Sequence, residues 1–535
     1  MPDAEPRLLA ELLERWRAEG SLVAEHVPAT EAAAPSAAHL GDATPAGIRD
    51  DSRKVEPGDL FVAVRGLSVD GHDFVRQAVE RGAAAVAVEQ SVGDLPVPHL
   101  VVEKGSAALA SAAAWWYGDP SHELLTIGVT GTNGKTTTSF LTQAALEGAG
   151  IRTGLIGTIG IRVGGQLRRN EEPNTTPGAL DLQRILREMV EAGEEAVVIE
   201  TSSHGLAADR VGSVAYAAAV FTNLSHEHLD FHGTFEAYRD AKLRLFTRLT
   251  RETTGGRPGL AIVNADDEHA DLFANAARGS GARVLTYGQA PAATVRLEGF
   301  APESSRSHLH VDLDGRHRDL YLRLPGRFNA INALAPLALA HGWDLDIDAA
   351  IAALEALPGV PGRMERVDRG QAFVVVVDFA HTPKSLDAIL RELAPLTADG
   401  GGLITVFGSS GERDVGKRPL MGEAVARHSR LVIVTEDDSR NEDPAAIFEQ
   451  IAAGAETAGK RRGEDLLIVP DRRAAIADAF RRANPGDVVL LAGKGHETWN
   501  MGPNGPEPWS DRETAESLLD AASGVGPDGA ARTRC

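Results

Sequence analysis

The sequence contains a single cysteine, Cys535, the last of its 535 residues. No internal disulfide can form, and the shortage of thiols argues against a structural zinc site. No apolar run approaches the ~20 residues needed to span a bilayer. The first residues also lack the basic-then-apolar order of a signal peptide. We therefore expect a cytoplasmic protein without stable membrane association.

The chain has no excess of basic residues, since 54 Lys and Arg face 76 Asp and Glu for a formal net charge of −22. Nonspecific binding to nucleic acid or anionic membranes requires clustered positive charge, so we expect neither. Any phosphate must be held by a local site. The hydrophobic content of 43% is typical of a globular protein, and the length suggests about three domains. We expect a monomer.

Apolar segments alternate with helical patterns along most of the chain, which predicts α/β domains with largely parallel sheets. Turn-forming residues at 118–120 and 357–362 mark two domain boundaries. Ligands should then bind beyond the carboxyl ends of the central strands. The predicted parts are an N-terminal appendage at 1–45, a small α/β domain at 46–118, a central domain at 119–357, a third α/β domain at 358–522 and a disordered tail at 523–535.

The segment 127–138 runs from an apolar strand through a glycine-rich turn into a predicted helix. Glycines let the backbone approach phosphate oxygens, and the helix N-terminus offers unpaired N–H groups. Lys135 supplies a fixed positive charge, and Thr136 a hydroxyl that can ligate Mg²⁺. The spacing is unusual, because five residues rather than four separate Gly128 from Gly134. We interpret the segment as a variant phosphate-binding loop of a nucleotide site.

Acidic and histidine side chains follow two other apolar segments. Glu200 ends the segment 196–200, where a carboxylate can hold Mg²⁺ directly or through water. Three histidines, one glutamate and one aspartate lie within 222–233. That density resembles a metal site, although the spacing of His226 and His228 does not match the common zinc motifs. Lys242 lies on a predicted helix, and that helix alone predicts a solvent-exposed lysine.

Several motifs occur in the order found in Mur ligases, which the sequence resembles over about 46 to 520. They lie at 131–137, 200–204, 222–224, 228–230, 241–242, 362–365 and 378–383. Further motifs favour the members of the family that add the third amino acid of the peptide. These lie at 51–53, 58–64, 174–177, 411–422 and 493–497.

The resemblance implies a first domain that binds a uridine nucleotide, a central ATPase domain and a Rossmann-like third domain that brings the incoming amino acid. It implies that ATP and Mg²⁺ drive amide formation between a diamino acid and the D-Glu γ-carboxylate of UDP-N-acetylmuramoyl-L-Ala-D-Glu. The reaction would pass through an acyl phosphate and serve peptidoglycan precursor synthesis.

The resemblance also implies a set of site residues. Those expected to bind ATP are Gly131, Thr132, Asn133, Gly134, Lys135, Thr136, Thr137, Asn329, Arg363 and Asp378. The expected catalytic residues are Lys135, His228 and Lys242, the last as a carbamate. The expected Mg²⁺ ligands are Thr136, Glu200, His228 and Lys242. Those expected to bind the other substrates are Ser52, Thr175, Thr176, Ser202, Arg210, Arg413, Asp437, Asp438, Ser439, Arg440, Gly493 and Glu497.

The identity of the third amino acid depends on the loop 437–440, which reads Asp-Asp-Ser-Arg. Members of the family that use meso-diaminopimelate have Asp-Asn-Pro-Arg there. Arg440 favours a substrate with a distal carboxylate, because a guanidinium repels an ammonium. Asp438 in place of asparagine favours L-lysine or L-ornithine instead, since a carboxylate can attract the ammonium group of either substrate. We expect meso-diaminopimelate and keep lysine and ornithine as alternatives.

Two rival functions remain. One is another amide-forming ligase of the superfamily, such as the second-stage muramoyl ligase or a folylpolyglutamate synthase; the motifs at 437–440 and 493–497 argue against both. The other is an inactive nucleotide-binding scaffold. A scaffold would not need all the residues expected to bind phosphate and metal. This chain retains them at Lys135, Thr136, Glu200, His228 and Lys242.

Overall fold

The computed structural model describes residues 7–26, 43–66, 69–169, 174–249, 257–303, 306–398 and 400–523. The chain divides into two compact units. The first comprises Met1–Ala293 and Ala335–Ala350, and the second Thr294–Leu334 and Ile351–Cys535. Within the described ranges, no helix combines the length and apolar character needed to cross a membrane. The predicted tail, apart from Ser523, lies outside the described residues, as do residues 27–42.

The first unit contains two sheets, and the smaller has five strands in the order β1-β5-β4-β3-β2. Only β1 is antiparallel to its neighbour. The strands are β1 Leu22–His26, β2 Ile48–Arg49, β3 Leu60–Val62, β4 Ala85–Val88 and β5 His99–Val102. The helices are α1 Leu9–Ala18, α2 Val75–Glu80 and α3 Gly105–Trp116.

Helix α1 and strand β1 fall within the predicted appendage at 1–45, yet the structure makes them part of this small α/β layer. Leu9, Leu12, Leu13 and Trp16 are spaced to share one face of α1, and they are buried in the same core cluster as β3 and β5. Strand β1 extends the sheet by pairing with β5. The described part of 1–45 is therefore integrated into the fold, because its apolar helix face has a core to cover.

The larger sheet of the first unit places β6 at its centre, in the order β13-β12-β11-β6-β10-β7-β8-β9. Strands β6, β7, β10, β11, β12 and β13 run parallel. The strands are β6 Leu125–Thr130, β7 Thr153–Ile156, β8 Ile161–Val163, β9 Gln166–Arg168, β10 Ala196–Glu200, β11 Ala218–Phe221, β12 Leu260–Asn264 and β13 Arg283–Gly288. The helices are α4 Lys135–Gly148, α5 Ala179–Glu191, α6 Ser203–Ala207, α7 Leu229–His232, α8 Phe235–Thr247 and α9 Ala270–Gly279. The parallel strands bring the loops after β6, β10 and β11 to one edge, where ligands bind in such sheets.

The second unit begins with an antiparallel meander of three strands, β14 Val295–Pro302, β15 Ser307–Leu313 and β16 Arg316–Leu322. Helices α10 Arg327–Gly342 and α11 Ile347–Ala356 follow and contain residues of both units.

A six-stranded sheet, ordered β17-β18-β22-β19-β20-β21, forms the rest of the second unit. Its strands are β17 Glu365–Val367, β18 Val374–Asp378, β19 Leu403–Phe407, β20 Ser429–Val434, β21 Leu466–Ile468 and β22 Val488–Ala492, and a hairpin of β23 Trp499–Gly502 and β24 Gly505–Pro508 follows. The helices are α12 Pro383–Leu393, α13 Lys417–His428, α14 Pro444–Thr457, α15 Arg472–Arg482 and α16 Asp511–Ser523. All pairings within the sheet except β17 with β18 are parallel. The predicted α/β fold class is thus confirmed.

Candidate active site

A glycine-rich loop joins β6 to α4 at the carboxyl edge of the larger sheet. Gly131 has a φ of 153°, and a Cβ at this position would lie 1.9 Å from the Thr222 Oγ1 atom. Only glycine fits there. Lys135 donates from Nζ to the carbonyl oxygens of Gly131 and Thr132, at 2.9 and 3.0 Å. The loop therefore holds an ammonium group beside the N-terminus of α4, an arrangement suited to phosphate.

The phosphate loop is also fixed to the segment that follows β11. Thr222 Oγ1 donates to the carbonyl oxygen of Asn133 at 2.7 Å. The Asn223 side chain donates to the same oxygen at 3.0 Å and accepts from the Asn133 N–H at 2.9 Å. Thr137 is buried in the first turn of α4. These contacts hold the predicted nucleotide-binding segment 131–137 in one conformation.

Glu200 lies beside this loop with its side chain fully buried. Its carboxylate accepts hydrogen bonds from Thr136 Oγ1 at 2.9 Å, and from the Thr158 N–H and Oγ1 at 3.0 and 3.1 Å. The structure thus brings together Thr136 and Glu200, two of the predicted metal ligands. Hydroxyl and carboxylate oxygens are the donors that Mg²⁺ prefers, so this pair fits the ion.

Lys242 of α8 is buried, with 1% of its surface exposed, and is not the solvated lysine that its helix alone suggests. Its Nζ donates to the Gly131 carbonyl at 2.8 Å and lies 4.6 Å from the centre of the Tyr238 ring. Burial, with a further contribution from the charge of Lys135, lowers the pKa of Lys242 well below its usual value. This environment favours the neutral amine.

Three histidine rings meet near Lys242. The ring centre of His204 lies 4.7 Å from that of His228 and 5.5 Å from that of His232. Burial and neighbouring positive charge lower the pKa of His204 and of His228 to about 4, so both rings are neutral at pH 7. A neutral imidazole can ligate a metal ion. Of these three rings the sequence predicts a role only for His228, and the structure places those of His204 and His232 in the same cluster.

The residues predicted to bind the muramoyl dipeptide form a polar cluster next to Glu200. Thr176 Oγ1 lies 3.0 Å from Ser202 Oγ, and the Thr176 carbonyl accepts from Arg210 Nη1 at 2.9 Å. Thr175 Oγ1 lies 3.0 Å from the hydroxyl of Thr158, which itself contacts Glu200. Ser52 lies in the smaller sheet region, buried, and donates to the side chain of Gln77 at 2.7 Å.

Three residues predicted to contact ATP belong to the second unit. Asn329 is buried, and its Oδ1 atom has no hydrogen-bond partner among the described residues. Asp378 ends β18 and accepts from two backbone N–H groups at 2.7 and 2.8 Å. Burial raises the pKa of Asp378, and the charge of Arg363 opposes that rise. The guanidinium carbon of Arg363 lies 4.7 Å from the centre of the Phe379 ring.

The loop 437–440 is organised around Lys494, whose side chain is fully buried. Lys494 Nζ donates to Asp438 Oδ1 at 2.8 Å and lies 3.0 Å from Glu497 Oε2 and 3.9 Å from Asp437 Oδ1. Burial raises the pKa of Glu497 to about 7, against the opposing charge of Lys494. Three carboxylates thus lie around one ammonium group. The positive charge of Lys494 reduces the repulsion among them.

Arg440 has a left-handed backbone with a φ of 54°, and its N–H donates to the carbonyl of Met501 at 2.9 Å. Its Nε atom is buried and, within the described ranges, lacks a hydrogen-bond partner. Ser439 Oγ donates to the Glu436 side chain at 2.8 Å. Gly493 directly follows β22, and Arg413 is exposed in the loop before α13.

Thr158 and Lys494 are the contacts that sequence reasoning misses. Thr158 is 42 residues from Glu200, and nothing local marks it as a partner. Lys494 lies inside the motif 493–497, between Gly493 and Gly495 and just after an apolar segment. This position could have marked it as a candidate site residue.

Sequence profiles of three domain families match the chain in order. The "Mur ligase family, catalytic domain" matches residues 45–117, the "Mur ligase middle domain" residues 129–340 and the "Mur ligase, glutamate ligase domain" residues 362–495. Together these matches cover most of both units.

Full-length relatives show the same similarity. A UDP-N-acetylmuramyl-tripeptide synthetase from Roseiflexus sp. (strain RS-1) is 47% identical over 492 residues, covering 90% of this chain and 96% of that protein. A UDP-N-acetylmuramoyl-L-alanyl-D-glutamate–2,6-diaminopimelate ligase from Geobacillus kaustophilus (strain HTA426) is 40% identical over 484 residues, covering 90% and 96%. A solved structure of a ligase of that description superposes with a TM-score of 0.67 at 32% identity, covering 91% of this chain and 97% of that one. With the phosphate loop, the Thr136–Glu200 pair and the buried Lys242 in place, the chain belongs to the Mur ligase family.

Proposed function

We propose that this ligase uses ATP to join meso-diaminopimelate to the D-Glu γ-carboxylate of UDP-N-acetylmuramoyl-L-Ala-D-Glu, in the cytoplasmic synthesis of peptidoglycan precursors. Membership of the family and the names of relatives about 40% identical over most of the chain support the reaction class. The residues around the phosphate loop and around Arg440 support the individual steps.

The phosphate loop accounts for nucleotide binding. Lys135 and the N–H groups at the start of α4 would meet the negative charge of the ATP phosphates. Thr136 and Glu200 would hold Mg²⁺, because their oxygens are adjacent and buried. When bound, the ion neutralises charge on the phosphate oxygens. In the second unit, Asn329, Arg363 and Asp378 are the residues expected to bind ATP, and the Asn329 Oδ1 atom, which has no partner among the described residues, offers a hydrogen-bond acceptor.

Lys242 fits a role as a carbamate. A neutral lysine amine adds to CO₂ by forming an N–C bond and losing a proton, which turns a cation-forming group into an anionic oxygen ligand. The buried position and lowered pKa of Lys242 favour the reactive amine, and Lys135 nearby would offset the new negative charge. Together with the neutral ring of His228, the carbamate would provide a second set of Mg²⁺ ligands.

The chemistry then needs no covalent link to the enzyme. The γ-carboxylate of D-Glu attacks the γ-phosphorus of ATP, which releases ADP and leaves an acyl phosphate. The amine of the incoming amino acid attacks the acyl carbon, and the tetrahedral intermediate collapses with loss of phosphate. The polar cluster of Thr175, Thr176, Ser202 and Arg210 would position the dipeptide by its amide and carboxylate groups, and Ser52 lies in the sheet region expected to hold the uridine nucleotide.

The observation that carries the choice of meso-diaminopimelate is the buried Nε atom of Arg440, which has no hydrogen-bond partner in the part of the chain that the structure describes. A buried N–H without a partner is costly, and a distal carboxylate on the substrate would satisfy it. L-Lysine and L-ornithine have an ammonium group at that end, which a guanidinium repels.

Asp438 does not reverse this preference. Its Oδ1 atom already accepts hydrogen bonds from Lys494 Nζ at 2.8 Å and from the Met501 N–H at 2.7 Å. A carboxylate neutralised in this way resembles the asparagine found at this position in diaminopimelate enzymes. Glu497, which also lies 3.0 Å from Lys494 Nζ, and Gly493 would receive the distal amino group, with Asp437, Ser439 and Arg413 around the loop.

Phosphate release by the purified protein tests the proposal. ATP, Mg²⁺ and UDP-N-acetylmuramoyl-L-Ala-D-Glu are supplied with meso-diaminopimelate, L-lysine or L-ornithine in separate reactions. We expect release with diaminopimelate alone. In D438N the preference should persist, whereas R440M should lose more than about tenfold in kcat/KM for diaminopimelate, equivalent to ~1.4 kcal/mol. Release with lysine or ornithine alone would overturn the substrate assignment, and no release with any of the three would overturn the third-residue reaction itself.

A further inference from the structure

The outward face of the β14–β16 meander carries a second group of metal-ligating side chains, outside the proposed catalytic site. His308 and His310 are two residues apart on β15 and therefore lie on the same face of the strand. Antiparallel pairing with β16 sets Asp319 directly opposite His310. The intervening residues, such as Leu309 and Leu320, are buried on the other face. The ladder thus presents two imidazoles and one carboxylate together.

The three side chains converge on one point. Asp319 Oδ1 lies 3.0 Å from His308 Nε2 and 2.6 Å from His310 Nδ1. One nitrogen or oxygen from each residue falls within 4.8 Å of the other two, so all three can reach a single metal ion. The His308 ring stacks on Tyr321 with centres 4.4 Å apart, and this contact fixes its orientation. Two hydrogen-bonded strands therefore hold the ligand set before any ion binds.

The neighbouring strand leaves room for the ring of His310. A bulge interrupts the pairing of β14 with β15 between Leu297 and Gly299. A Cβ on Gly299 would lie only 2.7 Å from His310 Cδ2, so the absence of a side chain allows the imidazole to lie over the bulge. An open cavity of about 510 Å³ adjoins this face, and Glu298 and His317 line it together with His310. An ion at this site would have space for water ligands.

We propose that His308, His310 and Asp319 bind a divalent transition-metal ion, with Zn²⁺ as the best match. Two imidazole nitrogens and one carboxylate oxygen, with water in the fourth position, form a common tetrahedral zinc environment. Mg²⁺ prefers oxygen donors and does not compete well for such a set. The ion would join β15 to β16 and stabilise the meander. This inference does not depend on the ligase reaction.

The test is zinc binding by the metal-free, full-length chain without a histidine tag, measured against a chromophoric chelator in excess Mg²⁺. Wild type is compared with H310A, with D319N and with H122A, which removes an exposed histidine of the first unit as a control. We expect H310A and D319N to bind one Zn²⁺ equivalent more than about tenfold more weakly than wild type, since even outer-shell partners of a metal are worth 10–100-fold. H122A should keep that equivalent.

Thermal unfolding provides a second readout, because an ion that binds only the folded state raises its melting temperature. Zn²⁺ should raise the Tm of wild type and H122A more than that of H310A. His310 is 57% exposed, so its truncation leaves the fold intact, and circular dichroism checks this. The proposal is overturned if H310A and D319N bind zinc with the same stoichiometry and affinity as wild type, or if wild type binds none.

Discussion

One absent side chain shapes the phosphate loop. A Cβ at position 131 would meet Thr222 Oγ1 at 1.9 Å, and the Gly131 carbonyl accepts from both Lys135 and Lys242. We expect G131A to move this carbonyl and lower kcat/KM for ATP more than tenfold, or ~1.4 kcal/mol. Steady-state phosphate release measures the effect.

Gly150 provides a matched control for that substitution. It also has a positive φ, of 86°, but no atom lies within 4 Å of a Cβ built on it. G150A also places an alanine at a positive φ but without the clash, so its activity should stay near that of wild type. Equal losses in the two variants would mean that strain, rather than the position of the loop carbonyl, causes the effect.

Lys242 of α8 and Lys135 of α4 both donate to the Gly131 carbonyl but are expected to act with opposite charge. If Lys242 works as a carbamate, K242A should be inactive and regain part of its activity when a short carboxylic acid such as acetate supplies the missing oxygen ligand. K135A should be inactive and show no such rescue, because it lacks a cation. Phosphate release with increasing acetate measures both variants. Full activity of K242A without any added acid would contradict carbamylation.

We expect KM for diaminopimelate to depend on pH through Glu497. Its raised pKa of about 7 means that the carboxylate gains a proton as the pH falls through that value. A protonated Glu497 attracts the amino group of the substrate less, so KM for diaminopimelate should rise between about pH 8 and about pH 6. E497Q should have a high KM that changes little over this range. Parallel profiles for wild type and E497Q would assign the ionisation to another group.

At the scale of helices, α13 and α14 are linked by a buried charge. Arg418 of α13 is fully buried and donates to both oxygens of Glu442 at 2.6 and 2.8 Å, and to Gln450 of α14 at 2.8 Å. E442Q leaves this guanidinium without its counter-charge. We expect a loss of about 2 kcal/mol in the free energy of unfolding, below the ~3–5 kcal/mol of fully buried pairs because Glu442 is 27% exposed. Urea unfolding measures the loss.

The Arg418–Glu442 pair also makes the free energy of unfolding depend on pH. Hydrogen bonds from Arg418 lower the pKa of Glu442 to about 2. The stabilisation is therefore complete above the unfolded pKa of about 4.3 and is lost as the pH falls toward about 2. The difference between wild type and E442Q should shrink between about pH 6 and about pH 3. E423Q, which breaks an exposed pair with Arg427 on α13, should cost under ~0.5 kcal/mol at either pH.

The positions of strands and helices were predictable because apolar runs and turn residues are local signals. The apolar segment 196–200 is the observed strand β10, and the helix predicted at the end of the segment 127–138 is α4, which starts at Lys135. The role of α1 was not predictable from the pattern alone. An amphipathic stretch shows which face seeks burial but does not identify the sheet that will cover it.

At the scale of the whole chain, the motifs predicted which segments contain candidate site residues. They did not predict which side chains from distant segments pair with one another. Asp438 looked open to a substrate ammonium, because the cation that neutralises it does not lie in its own loop. Its partner Lys494 lies 56 residues further along the chain, and β20 and β22, two parallel strands of the same sheet, lead into the two loops. Thr158 and Glu200 meet in the same manner across β7 and β10. Long-range pairing of this kind has no local sequence signature.

The net charge of −22 leads to a prediction for the intact molecule. Copies of an acidic protein repel one another, and at about 0.1 M salt this repulsion acts over a screening length of ~10 Å. We expect light scattering after size exclusion to give 56.5 kDa, the mass of one chain. Raising the salt to about 0.5 M screens the repulsion, and the mass should stay the same if no specific interface exists. A dimer at both salt concentrations would show that a specific contact outweighs the repulsion, and a dimer only at high salt would show that charge alone keeps the copies apart.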